Sequence, residues 1–519
     1  MLSVSMFSIL CLSCISPTRL LAGDAGLRLK TSQGKVEGKT SGALRIFLGI
    51  PYAAPPVGPL RWKPPQPAAK WKGVRQATEF GSHCMQPKLF GDMIFRDPGI
   101  SEDCLTLNVW TPARGKKAKL PVMVWIYGGG FTAGGSSEPR QDGASLAGHG
   151  VVVVSMNYRL NIFGFFAHKQ LDAESGKDAS GNYGLLDQTA ALRWVQRNIS
   201  SFGGDPAKVT IFGESAGSFS VSAQMASPLA RGLFQRAIGE SGGGFFRRDG
   251  AFDPKEDTER RDADFAQTAL MADTLDRLRA IPAQQLMEAA FKKDESGRFL
   301  EFTADIDGYF LPEGLPAIFA AGRQNDVPLL AGWNRDENGM ATNTTIGSFQ
   351  QRVSQRYGAN AAAILKLYPA ADDAQAVRSA ADLSGDEFIA FSTWRWMEAQ
   401  ARTGKQPIYR YRFDLAPPPD TNHPQEGVAY HSAEIAYVFG ALDLLHGYAW
   451  RPEDHALSEQ MQQYWTNFAK AGDPNGAGLP TWPVYKATDW KVMHLDETSA
   501  AQDDKTRDRE LFLDEIWGH

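Results

Sequence analysis

Residues 150–159, GVVVVSMNYR, carry an apolar run with no alternation of polar and apolar positions. Such a strand has no solvent face and must be covered on both sides, as in a parallel sheet packed between helices. LPVMVWIYGGGF (120–131) is a second such run, ending in three glycines where a central strand would open into a loop. LLDQTAALRWVQRNI (185–199) places Leu186, Ala190, Trp194 and Ile199 at helical spacing. KVTIFG (208–213) is another buried strand, and it leads directly into ESAGS and an alanine-containing helical stretch. Strand, helix and strand joined by short links predict an α/β fold around an open, mostly parallel sheet.

Further along, NDVPLLAGWNRDEN (325–338) reads as a strand with an acidic loop at its C-terminal end. Residues 254–300 are charged and helix-favouring, and read as insertions or a lid packed on the sheet. APPPDTNHPQEG (416–427) reads as an ordered loop rather than a linker, because aromatic residues flank it closely. There is no internal repeat, so one domain over 23–519 is the simplest organisation for 519 residues. The first 22 residues contain a short apolar core from Val4 to Ile15, followed by small residues at Ala22 and Gly23. That core is too short to span a bilayer and suits a signal peptide, which points to a secreted or periplasmic protein.

A net charge of −5 and a pI near 6.0 leave no basic footprint for nucleic acid and no polybasic face for stable membrane insertion. The expected partner is a small molecule, and a monomer is the simplest assembly. Of 4 cysteines, Cys11 and Cys14 leave with the leader, so Cys84 and Cys104 are either a disulfide or two separate buried thiols. A bridge between them would close a loop of about 20 residues, worth roughly 3 kcal/mol on a chain-entropy argument. The remaining cysteines are too few for a cysteine-rich metal centre, and no metal or organic cofactor is expected.

FGESAGS (212–218) places Ser215 between small residues, with a glycine two positions away on each side. With 51 glycines in the chain, G-x-S-x-G arises by chance about once in every few such sequences, so context has to carry the argument. Here a strand feeds the motif and a helix follows it, the setting in which a strained turn lifts a serine hydroxyl off a sheet edge. The N–H of Ala216 would then face a reacting carbonyl, and the Gly128–Gly130 run can bring further N–H groups close without a Cβ in the way. A serine nucleophile needs a base and the base needs an orienting acid. His431 is the preferred base because an apolar, aromatic segment follows and can clamp its loop; His423, in the proline-rich loop, is the rival. Asp336 and Glu337 both lie directly after a strand, where the acid belongs. The chain order nucleophile, acid, histidine is that of α/β-hydrolases.

At these motifs the sequence resembles the type-B carboxylesterases, a family that includes bacterial para-nitrobenzyl esterases, animal carboxylesterases and cholinesterases. The likeness runs from about residue 28 to 515 through FLGIPYAAPPVGPLRW, SEDCLTLNVW, VMVWIYGGGF, GNYGLLDQTAALRWVQRNISSFGGDP, VTIFGESAGS, WNRDEN, HSAEIAYVFG and YWTNFAKAGDPN. The resemblance implies an α/β-hydrolase fold with loops inserted over the active site. It implies a nucleophile at Ser215, the acid at Glu337 rather than Asp336, and the base at His431. It also implies oxyanion donors at Gly129, Gly130 and Ala216, with Glu214 beside the nucleophile in a buried network with Ser241. A disulfide between Cys84 and Cys104 and a structural ion pair between Arg61 and Glu102 follow from the same likeness. Asn338 departs from the family's usual glycine, but Asn tolerates a left-handed backbone best among the other residues.

The resulting expectation is a serine esterase acting on neutral carboxylic esters through an acyl-enzyme. The alternatives are an amide or carbamate hydrolase with the same triad, or a non-catalytic binding protein on the same fold. Phe131, Phe245 and Phe246 are candidate pocket walls by their proximity to the oxyanion and Ser241 segments. The stretch between the two cysteines has Phe90 and Phe95 but no tryptophan or tyrosine, and its Lys88 and Arg96 are expected to repel a cationic ester. An ordinary imidazole at His431 would make activity rise between about pH 6 and 7.5.

Overall fold

A computed structural model describes residues 26–246 and 250–517; the leader expected over 1–22 lies outside the described residues. Eleven strands form one sheet. In chain order these are β1 (Lys39–Ser41), β2 (Leu44–Pro51), β3 (Thr106–Thr111), β4 (Leu120–Ile126), β5 (Val152–Met156) and β6 (Gly204–Glu214). The rest are β7 (Arg236–Glu240), β8 (Leu329–Asn334), β9 (Ile408–Phe413), β10 (Lys491–Leu495) and β11 (Ala500–Asp503). Across the sheet they lie in the order β11-β10-β9-β8-β7-β6-β4-β5-β3-β2-β1. The run from β10 to β5 is parallel throughout. Both flanks are antiparallel.

The continuous apolar runs occupy the middle of this sheet, as their lack of alternation requires. Val152, Val153 and Val154 are fully buried, and so are Val122 through Ile126, so both faces of the pleat are covered. Among the covering helices are α1 (Tyr183–Asn198), α2 (Ala216–Ala226), α3 (Phe391–Thr403) and α4 (Pro452–Ala471). On α1 the buried stripe is Leu185, Ala191, Leu192, Trp194 and Val195. The expected Leu186 and Ala190 are only part-buried and sit at its edge, while Trp194 is fully buried and packs near Phe202. Residues 254–300 are helical over Lys255–Thr268, Leu275–Ala280 and Ala283–Ala290, in keeping with their composition.

Two ties fix the N-terminal third. Cys84 and Cys104 form a disulfide, each 1% exposed. Arg61 donates to both carboxylate oxygens of Glu102, at 2.7 and 2.8 Å, and to the carbonyl of Ile281 at 2.7 Å. Among the described residues, no helix is long and apolar enough to cross a membrane.

Candidate active site

Ser215 sits on the single residue between β6 and α2, with φ 55° and ψ −123°. For a non-glycine residue this backbone costs on the order of 1–3 kcal/mol, so surrounding structure must enforce it. The Ser215 N–H donates to the carbonyl of Glu240 on β7 at 2.9 Å, which pins the turn to the neighbouring strand. The end of β4 packs against the turn so closely that only glycine fits on either side of it. A Cβ on Gly217 would stand 2.0 Å from the carbonyl oxygen of Ile126, and one on Gly213 2.6 Å from the same atom. The G-x-S-x-G spacing is therefore a steric requirement of this strand crossing.

The triglycine run meets the turn from the other side. A Cβ on Gly128 would lie 2.6 Å from the carbonyl oxygen of Glu214 and 2.9 Å from the Ser215 Cβ. Gly129 and Gly130 follow with φ of 99° and 64°. Both border one cavity with Ser215 and Ala216.

His431 and Glu337 arrive on two loops that Asp336 staples together. The N–H of Asp336 donates to the carbonyl of Ala429 at 3.0 Å, and the N–H of Ala429 donates to the Asp336 carboxylate at 2.8 Å. Arg378 and Arg335 hold that carboxylate from outside, at 2.5 and 3.0 Å. Asp336 is thus committed to the loops themselves. The next residue, Glu337, turns inward and accepts from Nδ1 of His431 at 2.5 Å. Its other oxygen accepts from the Ser241 hydroxyl at 2.7 Å and the Asn334 N–H at 2.6 Å. His423 is placed elsewhere, stacked on Tyr430 at 3.6 Å and bonded to Asp420, and it does not border the cavity.

Glu214 and Ser241 are connected through the pair rather than directly. Ser241 donates to Glu337 and, at 3.4 Å, to Glu434, but makes no hydrogen bond to Glu214. Glu214 instead presents Oε1 to Nε2 of His431 at 3.2 Å. Glu434, which sequence reasoning passed over, is fully buried and accepts from Asn334 Nδ2 at 2.6 Å. Its one sequence signal is an acidic residue inside the apolar run that follows His431.

Charge is concentrated here. Burial pulls the His431 imidazole down, but the Glu214 and Glu337 carboxylates outweigh it and hold the ring at about 9. Burial pushes Glu214 up to about 7 against the attraction of His431 and Arg140. Burial, reinforced by Glu214 and Glu337, pushes Glu434 up to about 8.

The cavity encloses about 590 Å³. Of the three phenylalanines proposed as pocket walls, Phe131 and Phe246 border it and Phe245 does not. Phe245 is 2% exposed and packs edge-on against Phe319, with its N–H donated to the Ser392 hydroxyl at 2.8 Å, so it is held in the core. Phe219, Phe252 and Phe388 supply further aromatic wall. Phe388 comes from a π-helical turn, Asp386–Ala390, which opens α3 and projects Glu387, Phe388 and Ile389 towards the cavity. The disulfide-closed loop contributes Phe90, Asp92 and Met93. Lys88 and Arg96 stay off the cavity, and Arg96 pairs with Asp142 at 2.9 Å. The charged groups at the wall are instead Glu214, Asp92, Glu301, Glu387 and Arg140. Arg140 is held between Asp92 and Glu138, at 2.8 Å each.

Comparison with known proteins bears on what this cavity does. The profile of the Carboxylesterase family matches residues 25–512. The para-nitrobenzyl esterase of Bacillus subtilis (strain 168) is 37% identical over 503 residues, covering 93% of this chain and 97% of that one. The fumonisin B1 esterase of Sphingopyxis macrogoltabida is 37% identical over 499 residues, covering 91% and 86%. Among solved structures, a PNB esterase superposes with a TM-score of 0.79 at 36% identity, covering 94% of this chain and 100% of that one. A carboxylesterase of Geobacillus stearothermophilus does so with a TM-score of 0.80 at 33% identity, covering 95% and 100%.

Proposed function

The chain belongs to the carboxylesterase family, on an α/β-hydrolase fold, and is a carboxylic-ester hydrolase; from that premise we propose that it cleaves neutral esters through an acyl-enzyme on Ser215. The observation that carries this reading is the contact of Glu337 with Nδ1 of His431, at 2.5 Å, beside a cavity that Ser215 and His431 both line.

Ser215 Oγ attacks the ester carbonyl while Nε2 of His431 takes its proton. Glu337 fixes the tautomer and stabilises the imidazolium. Nε2 of His431, 3.2 Å from Glu214 before substrate binds, turns to the Ser215 hydroxyl as substrate binds. Negative charge developing on the carbonyl oxygen is met by the N–H groups of Gly129, Gly130 and Ala216. Ala216 opens an 11-residue helix whose first-turn donors have no partner within the helix. His431 then returns the proton to the departing alkoxide, the ester C–O bond breaks, and a water repeats the sequence on the acyl-serine. No metal or organic cofactor enters any step.

The preference for neutral esters rests on the aromatic lining and on the pairing of Arg140, the one arginine or lysine on the wall. The Arg140 guanidinium is already occupied by two carboxylates, so it offers no counter-charge to an acidic substrate arm. Residues 1–22 are read as a leader and 23–519 as one monomeric, secreted or periplasmic unit; the buried disulfide supports an oxidising compartment.

The test is kinetic. Ser215→Ala and His431→Ala should each lower kcat by roughly 10⁴-fold or more on a p-nitrophenyl ester, in folded protein. His423→Ala should leave it near the parent value. Loss of activity in His423→Ala with retention in His431→Ala would overturn the assignment.

A further inference from the structure

The disulfide-closed loop holds a second cavity. It encloses about 490 Å³, and Phe90 and Met93 line both it and the cavity at Ser215. The far walls include Leu89, Ile94, Phe95, Pro98 and Ile100, all from the loop itself. Two polar side chains on its lining are already satisfied by one another. His83 and Asp97 pair at 2.7 Å, and the second Asp97 oxygen accepts from Ser137 at 2.5 Å. Gln86 is likewise spent on the carbonyls of Cys84 and Gly134, and Lys88 is the one further charged side chain on the lining, exposed to solvent; the rest of the wall offered to a ligand is mainly hydrocarbon.

The loop also presents apolar side chains outward. Leu89, Phe90, Ile94 and Ile100 are 36%, 43%, 59% and 40% exposed. An apolar cluster of this kind marks a place where a hydrophobic ligand is covered. The loop cannot fold inward to hide them, because it is tied at three points: the disulfide, the Asp97–His83 pair, and the Asp92–Arg140 pair at 2.8 Å. The partition between the cavities, by contrast, is made of side chains. Met93 is flexible, and its Cε lies 3.1 Å from where a Cβ on Gly129 would stand.

Geometry also says which side of an ester faces this partition. Arg140 joins Asp92 to the Ser432 hydroxyl, at 2.8 and 3.5 Å, so the loop abuts the residue next to His431. In the proposed mechanism His431 protonates the leaving oxygen, which places the alcohol arm on the loop side. We propose that the cavity inside the disulfide loop is an apolar subsite for the far end of a long aliphatic alcohol arm, reached past Phe90 and Met93. This inference rests on the ester-hydrolase reading above and names the substrate class it would favour, long-chain alkyl esters.

The experiment measures kcat/KM for alkyl acetates from ethyl to decyl, below their aggregation limits, by titrating the acetic acid released. In the parent enzyme the value should keep rising with alkyl length through decyl. Leu89→Trp, a substitution at a part-exposed position that fills the second cavity, should lower the decyl-to-ethyl ratio by about tenfold or more. Ile94→Trp should do likewise, which guards against one variant failing to fold. A parallel series lengthened on the acyl side should keep its parent profile in both variants. A decyl-to-ethyl ratio within about twofold of the parent in both variants would overturn the subsite, as would a flat alkyl series in the parent. Absence of hydrolysis across both series in the parent would sink the ester-hydrolase reading instead.

Discussion

Nε2 of His431 lies 3.2 Å from Oε1 of Glu214, the residue immediately before Ser215. A carboxylate at that distance favours the imidazolium, the form that cannot act as a base. The expectation from sequence, an ordinary imidazole titrating between about pH 6 and 7.5, is displaced upward, because Glu214 and Glu337 hold the ring at about 9. In the parent enzyme kcat/KM should therefore climb through pH 7.5 and reach half its plateau above that value. Glu214→Gln removes one of the two charges, so the midpoint should move to lower pH by about one pH unit. A midpoint that stays in place in Glu214→Gln would show that the contact does not control the base.

Glu434 is pushed up to about 8 by burial and by Glu214 and Glu337, so at pH 7 it is mostly the neutral acid. Glutamine reproduces its shape and a neutral charge state, and Glu434→Gln should retain most of the activity. Glu434→Ala removes one of the two acceptors of the buried Asn334 amide, leaving it the Tyr430 carbonyl at 2.8 Å, and should cost about 1–3 kcal/mol of stability together with a lower kcat. Equal losses in the two variants, by denaturant titration and initial rates, would contradict this account.

Arg61 is 4% exposed, and its guanidinium carries two bonds to Glu102 and one each to the Ile281 and Arg279 carbonyls. Removing it strands a largely buried carboxylate, so Arg61→Ala should destabilise the fold by about 3–5 kcal/mol. Urea unfolding measures the loss, and a change below about 1 kcal/mol would indicate that the pair is solvated in practice.

Cys84 and Cys104 are bridged. Thiol titration of denatured, non-reduced protein lacking residues 1–22 should find no free thiol. Two titratable thiols would remove both the bridge and the main support for an oxidising compartment.

The parts of this site that were legible in the sequence are those fixed by local sterics. Gly213 and Gly217 must be glycine because the Ile126 carbonyl passes within a Cβ radius, so the turn at Ser215 is written at fixed spacing. The strands of the parallel core were legible because burial on both faces removes alternation. Asp336 and Glu337 could not be told apart from the residues alone, since both are carboxylates in one loop; only the meeting with the Ala429 segment gives them different tasks. The cavity wall was the least legible. Phe219, Phe252 and Phe388 come from separate segments, one of them a π-helical turn that no spacing rule announces, whereas Phe245 was favoured by nearness in sequence and faces the core.

The central claim is that Ser215 is the residue acylated in turnover. An organophosphonate that mimics the tetrahedral intermediate tests it directly, with the site of attachment read by peptide mass spectrometry and activity followed in parallel. The account predicts one adduct per chain, on Ser215, with activity lost in proportion to labelling. Full labelling of Ser215 with activity retained, or full inactivation with the adduct on another residue, would contradict it.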